Sequence, residues 1–327
     1  MQNFQLIEYH LTRDFSKKMN TTFEFIKQNW KSLGKATLLI AGPPVFIAGL
    51  IMGSFFGNMF TLGGIDGNTE ETLEFLTSSS FWLQLILAMV LLLLSSVMSL
   101  ATINNYLLLY EELKTNEIPT ALVWERVRQT VWTYLSTTIY FFLVFVGLCF
   151  LIMIPVALFA TLSPVASVLG VWMTMVLIFY LMISFSLTYI IRAYERIGFF
   201  DALGRSFKLV KGKWWSTFGL ILILYFIMMT ISYVPMFPLY VIMGVSTLHN
   251  VSTGETSNPF QEEGLSTVAM VLMGVYYMLQ LLLSALPNIG IAFQYFNLVE
   301  MKEARGLMSS IDTFGESPTK NSIDETY

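Results

Sequence analysis

Six apolar runs, near 36–60, 81–110, 133–161, 168–191, 216–245 and 267–299, constrain this chain more than anything else in it. Each is long enough to cross the hydrocarbon layer of a bilayer, roughly 30 Å thick, which takes a helix of about 20 residues. Within lipid a backbone finds no water, so such segments must satisfy their own N–H and C=O groups as helices. Composition agrees, with 55% of residues hydrophobic and 12% charged, against about 25% charged in an ordinary soluble domain. The sequence predicts an all-α polytopic bundle of six transmembrane helices.

Cutting the chain at those runs leaves all 18 Lys and Arg residues in alternate connections. Arg13, Lys17, Lys18, Lys27, Lys31 and Lys35 precede the first run, and Lys114, Arg126 and Arg128 lie between the second and third. Arg192, Arg196, Arg205, Lys208, Lys211 and Lys213 lie between the fourth and fifth, and Lys302, Arg305 and Lys320 follow the sixth. The other three connections carry only acids: Asp66, Glu70, Glu71, Glu74, Glu255, Glu262 and Glu263. Basic residues stay on the cytoplasmic side of a membrane, so both termini are predicted inside. Trp30, Trp132, Trp214 and Trp215 at inner ends and Trp82 at an outer end match the headgroup preference of indole rings. The division is then 1–35, a cytoplasmic segment with an interfacial amphipathic helix; 36–300, the six-helix domain; and 301–327, a cytoplasmic tail that loses periodicity from Ser309 and reads as disordered. No cleavable leader is expected, because the first apolar run begins after a long charged stretch.

Phe15, Met19, Phe23, Ile26, Trp30 and Leu33 recur at spacings of three and four, the pattern of an amphipathic helix. Phe199, Leu203, Phe207 and Val210 form a similar stripe, and Val123, Val127 and Val131 a weaker one. Phe23, Lys27, Trp30 and Ser32 align with Phe207, Lys211, Trp214 and Ser216 at one constant offset. Tyr106 with Glu111, Tyr189 with Glu195 and Tyr295 with Glu300 close the three even runs. The pattern reads as a threefold internal repeat, each unit an interfacial helix followed by a helical hairpin. Arg205, Lys208, Lys211 and Lys213 are the candidate contacts for anionic lipid at the inner face.

Gly49, Gly53 and Gly57 form a GxxxGxxxG stripe that lets another helix approach closely, within the bundle or from a second copy. Pro43 and Pro44, Pro155, and Pro235 and Pro238 interrupt the odd runs, each removing a backbone donor. Pro287, Asn288 and Gly290 predict a break inside the sixth run, near Gln280 and Gln294. In carriers such breaks line substrate sites; elsewhere they are plain kinks.

Catalytic chemistry is sparse. The centre of each run lacks Asp, Glu, Lys, Arg and His, which disfavours a pump or proton symporter. The 2 histidines, His10 and His249, fall on opposite sides of the predicted membrane, and Cys149 is the only cysteine, so no metal cluster or intramolecular disulfide is expected. No Walker loop, dinucleotide fingerprint or nucleophile elbow occurs. The outer carboxylates serve either as solubilising charge or as a divalent-cation or acid–base pair. The reading is a non-enzyme with no cofactor and no nucleic-acid partner.

The segments DALGRSFKLVKGKWWSTFGLILIL (Asp201 to Leu224) and TTFEFIKQNWKSLGKATLLIAGPP (Thr21 to Pro44) resemble a family of uncharacterised bacterial six-helix membrane proteins. That family is similar to the membrane domain attached to some glycerophosphodiester phosphodiesterases. The resemblance implies a bacterial inner membrane and transfers no catalytic residue. Two functions are carried forward: a structural or assembly partner in a membrane complex, and a facilitator for uncharged substrates or lipid-handling protein.

Overall fold

The computed structural model describes residues 5–62, 69–254, 263–304 and 308. Among these, the chain forms α1 (Phe15–Leu62), α2 (Thr69–Thr77), α3 (Ser79–Leu113), α4 (Thr120–Leu162), α5 (Pro164–Ser184), α6 (Thr188–Glu195), α7 (Phe199–Val210), α8 (Trp214–Ser232), α9 (Phe237–Thr253), α10 (Glu263–Leu283) and α11 (Ala285–Glu303), with a 3₁₀ turn at Val234–Met236 and no strand. Six stretches are long and apolar enough to cross a membrane: α1, α3, α4, α5 continuing into α6, α8 into α9, and α10 into α11. The protein is an all-α, multi-pass bundle.

Side-chain burial divides the bundle lengthwise. At one end, here the base, Tyr9, Phe25, Tyr106, Tyr110, Phe293, Tyr295 and Phe296 sit in a single core. Toward the other end the helices expose apolar surface: Trp82, Leu83, Ile86, Met89 and Val90 on α3, Trp172, Met173 and Val176 on α5, Phe226 and Met229 on α8. On α3 the change comes between Leu94 and Val97, beyond which nearly every side chain to Tyr110 is buried. Lipid solvates apolar side chains as well as other side chains do, so the belt has little drive to pack tightly. The base encloses its apolar surface, as packing against water requires.

Two of the three expected interfacial helices do not exist as separate elements. Residues 15–35 are the first turns of α1, one helix of 48 residues, about 72 Å at 1.5 Å per residue, and the Val123–Val131 stripe is the start of α4. Only α7 stands alone, and the aligned copies explain why. Gly212 takes a φ of 85° between α7 and α8, a conformation glycine adopts freely; the matching position in the first copy is Gln28, inside α1. The buried faces also differ from the expected stripes. α1 buries Lys18, Thr22, Phe25, Asn29 and Leu33 and leaves Phe15, Phe23 and Trp30 exposed, because polar partners across the core satisfy Lys18 and Asn29. α7 buries Phe199, Ala202, Ser206, Leu209 and Val210 but leaves Phe207 outside.

The three even spans end alike. Lys114, Arg196 and Ala304 follow α3, α6 and α11 at φ of 53°, 55° and 50°. Each donates its N–H to the carbonyl four residues back, Tyr110, Arg192 and Glu300. These left-handed caps are normally glycine.

Gly49 and Gly53 lie against α10 of the same chain. A Cβ at Gly49 would come within 2.8 Å of Gly274 Cα, and one at Gly53 within 2.5 Å of Met270 Cα. The stripe is thus occupied inside the bundle. Pro43 and Pro44 sit within α1 and Pro155 within α4 without ending either helix, whereas Pro235 lies inside the turn between α8 and α9 and Pro238 in the first turn of α9. The surroundings of Gly57, the side chains of Glu70, Glu71 and Glu263, residues Asp66, Glu255, Glu262, Arg305 and Lys320, and the tail from Ser309 onward lie outside the described residues.

Candidate functional site: a lateral cavity above the base

Residues 5–14 precede the first helix and fold into the base. The Tyr9 hydroxyl donates to Leu107 O at 2.9 Å, and its ring stacks on Tyr110 and meets Phe293 edge-on. Ile7 N donates to the Tyr110 hydroxyl at 3.1 Å, and Arg13 N to Asn297 Oδ1 at 2.6 Å. His10 Nε2 is 3.0 Å from the Tyr194 hydroxyl and 3.7 Å from Glu111 Oε1. The segment therefore ties α3, α6 and α11 together at their ends. Burial, reinforced by the Glu111 carboxylate, holds the Tyr9 phenol well above its ordinary pKa.

Three cations of the base, Arg205, Arg192 and Lys18, are committed to protein partners. Arg205 on α7 pairs through Nε with Glu195 and through Nη1 with Glu303 at 3.0 Å, while the Tyr295 hydroxyl donates to Glu195 at 2.7 Å. Burial works against the Arg205 charge, but its hydrogen bonds to Glu303 and Glu195 outweigh it and raise its pKa. Arg192 Nη1 donates to Thr137 Oγ1 at 2.6 Å and Thr133 O at 3.2 Å. Lys18, only 3% exposed, donates to Gln294 Oε1 at 2.7 Å and Ser216 Oγ at 3.0 Å, and Gln294 Nε2 donates onward to Thr217 at 2.8 Å. No carboxylate among the described residues forms an ion pair with Lys18.

Of the four expected lipid contacts, Arg205 is thus an internal strut. Lys208, Lys211 and Lys213 are exposed, and Lys302 Nζ donates to the carbonyls of Lys208 and Lys211 at 2.6 and 3.0 Å. Trp215, 77% exposed, lies two residues beyond Lys213.

Directly above the base is a cavity of about 580 Å³. Its walls are Phe141, Phe145 and Leu148 of α4, Phe179 and Met182 of α5, and Phe218, Leu222 and Tyr225 of α8. Phe145, Met182, Leu222 and Tyr225 are also exposed on the belt, so the cavity communicates with the space that lipid occupies. Asn104 of α3, Ser186 of the α5–α6 turn, Tyr189 of α6 and Asn288 of α11, with the Tyr225 hydroxyl, supply its polar groups. Ser186 Oγ donates to Ile183 O, and the Tyr189 hydroxyl shares a 3.0 Å bond with Thr138 Oγ1.

The predicted break in the sixth span helps to form this site, one turn earlier than expected. Helix α10 ends at Leu283 and α11 begins at Ala285; Pro287 has no N–H to offer the Leu283 carbonyl. Asn288 Nδ2 donates instead to Ser284 O at 2.7 Å, and Ser284 Oγ lies 3.2 Å from Ser99 Oγ. Asn288 lines the cavity; Pro287 does not. Gly290 is a packing position, where a Cβ would fall 2.1 Å from Leu224 Cδ1. Asn104, Ser186 and Lys18 carried no signal in the sequence, because their partners come from distant segments. Among the described residues no cluster of three or more His, Cys, Asp or Glu side chains is placed to hold a metal. Comparison with family models, characterised proteins and solved structures finds no match for this chain.

Proposed function

We propose that this protein is a lipid-handling protein of a bacterial inner membrane, with both termini cytoplasmic and the base on the cytoplasmic side. The observation that carries the reading is the cavity: an apolar space of about 580 Å³ opening on the belt, with polar side chains gathered in its lining. Binding sites for small amphiphiles are built this way, an apolar body with a few placed polar groups. Lys208, Lys211, Lys213 and Trp215 add a separate exposed basic and aromatic surface, suited to holding the protein against anionic headgroups. Native mass spectrometry of the protein released from lipid nanodiscs tests the reading. The wild type should carry a bound lipid, and Leu148→Trp or Ile221→Trp, each filling the cavity, should remove it. Equal lipid retention by all three would contradict the proposal. Reporter fusions at Asn68 and Gly254 test the orientation and should read as periplasmic.

One observation favours the scaffold reading. Buried residues make up 11% of the most apolar window of the third span and 17% of the fourth, against 39% in the first and second. Helix α5 exposes Val168, Trp172, Met173, Met175 and Val176 on several faces, as a docking helix would. A photo-crosslinking residue at Trp172 should give a discrete protein adduct in cells if α5 docks a partner, and lipid adducts alone if it does not.

A further inference from the structure

We infer that the cavity selects an amphiphile whose headgroup is neutral and hydrogen-bonding, such as the hydroxyl of a glyceride or long-chain alcohol, and rejects an anionic phosphate headgroup. The inference rests on the lipid-handling reading and names its ligand class. Asn104, Ser186, Tyr189, Tyr225 and Asn288 are the polar side chains of the lining, which holds no charged residue among the described residues. Three cations of the base are turned to other partners. Arg192, one helical turn from Tyr189, is held by Thr133, Ser136 and Thr137 of α4. Lys18 is held by Gln294 and Ser216, and Arg205 by Glu195 and Glu303. A phosphate drawn into this space would leave water without a counter-charge, a strongly unfavourable transfer, whereas a hydroxyl needs only a hydrogen bond. Asn288 supplies one: a single amide hydrogen goes to Ser284 O, and its side-chain carbonyl accepts from a ligand hydroxyl. The exposed Lys208, Lys211 and Lys213 lie outside the lining and hold anionic lipid at the surface only.

The test uses two photoactivatable lipids with the same diazirine-bearing chain, a diacylglycerol and a phosphatidylglycerol. Each is doped into nanodiscs holding the full-length protein, and the adducts are mapped by peptide mass spectrometry. The expected result is labelling of the cavity walls on α4 and α8 by the diacylglycerol more than about tenfold above the phosphatidylglycerol, the least that an uncompensated buried charge implies. Leu148→Trp and Ile221→Trp, on separate helices so that a folding failure of one does not decide the matter, should abolish it. Asn288→Leu should weaken it about two- to tenfold, the range of one neutral hydrogen bond. Equal labelling of the walls by both lipids, still blocked by the tryptophans, would overturn the headgroup inference and leave the lipid site standing. Labelling indifferent to the tryptophans would overturn both.

Discussion

At the base, Phe25, Tyr106, Tyr110, Phe293 and Tyr295 are enclosed on all sides and their hydroxyls reach partners on other helices, as when Tyr106 donates to Asn29 Oδ1 at 2.9 Å. In the belt, Trp172, Met173 and Phe226 are more than 60% exposed, and the packing there narrows to small clusters such as Met236, Leu239 and Ala269. The same helices run through both regions, so the difference arises from the solvent each region meets. Against water, apolar surface must be buried and polar groups paired. Against lipid only the backbone must be satisfied, and a cavity between loosely packed spans is tolerated because lipid can fill it.

The largest test of this contrast compares aromatic truncations. Phe293→Ala at the base should cost about 3–5 kcal/mol, the usual loss for a buried phenylalanine, seen as a large fall in the thermal midpoint in detergent. Phe226→Ala in the belt should change stability by less than about 0.5 kcal/mol. Comparable losses would erase the distinction. The belt has one exception that sharpens it: α1 and α10 approach closely through Gly53 and Gly49. There Gly53→Val should cost about 1–3 kcal/mol by overpacking against Met270, while a valine at Gly147, which has open space around it, should not.

A smaller effect appears at high pH. The folded base keeps the Tyr9 proton to a higher pH than an ordinary phenol does, which ionises near 10. Below about pH 10 both folded and unfolded chains hold that proton, and the stabilisation is complete. Above it the unfolded chain releases the proton first, so stability drains by up to about 1.4 kcal/mol per pH unit. Tyr9→Phe should remove this part of the slope in a denaturation series from pH 9 to 11; an unchanged slope would place the tyrosine in contact with water. Smallest are the left-handed caps. Lys114→Gly, Arg196→Gly and Ala304→Gly should each stabilise by about 1 kcal/mol, because the side chain's conflict with the backbone is relieved. A fall in midpoint at any of them would show a side-chain contact that outweighs the strain.

The spans were legible in the sequence because apolar runs of that length have one solution in lipid. The base was not. Its first helix buries Lys18 and exposes Trp30 and Phe23, the reverse of what its periodicity indicates, since Ser216 and Gln294 satisfy the amine from 198 and 276 residues away. The paired Tyr and Glu of the even spans were visible as a pattern, yet their roles diverge: Tyr106 and Tyr295 fill the core and Tyr189 lines the cavity. Asn288 stood out beside its proline, whereas Asn104 and Ser186 gain meaning only when six helices bring them together.

A density map of the protein in lipid nanodiscs, at a resolution that separates acyl chains from side chains, decides whether lipid fills the cavity. A lipid-filled cavity would show a continuous chain-shaped density entering between α4, α5 and α8 and ending beside Asn104 and Asn288. A cavity closed by the approach of α4 to α8, with no lipid between them, would contradict it.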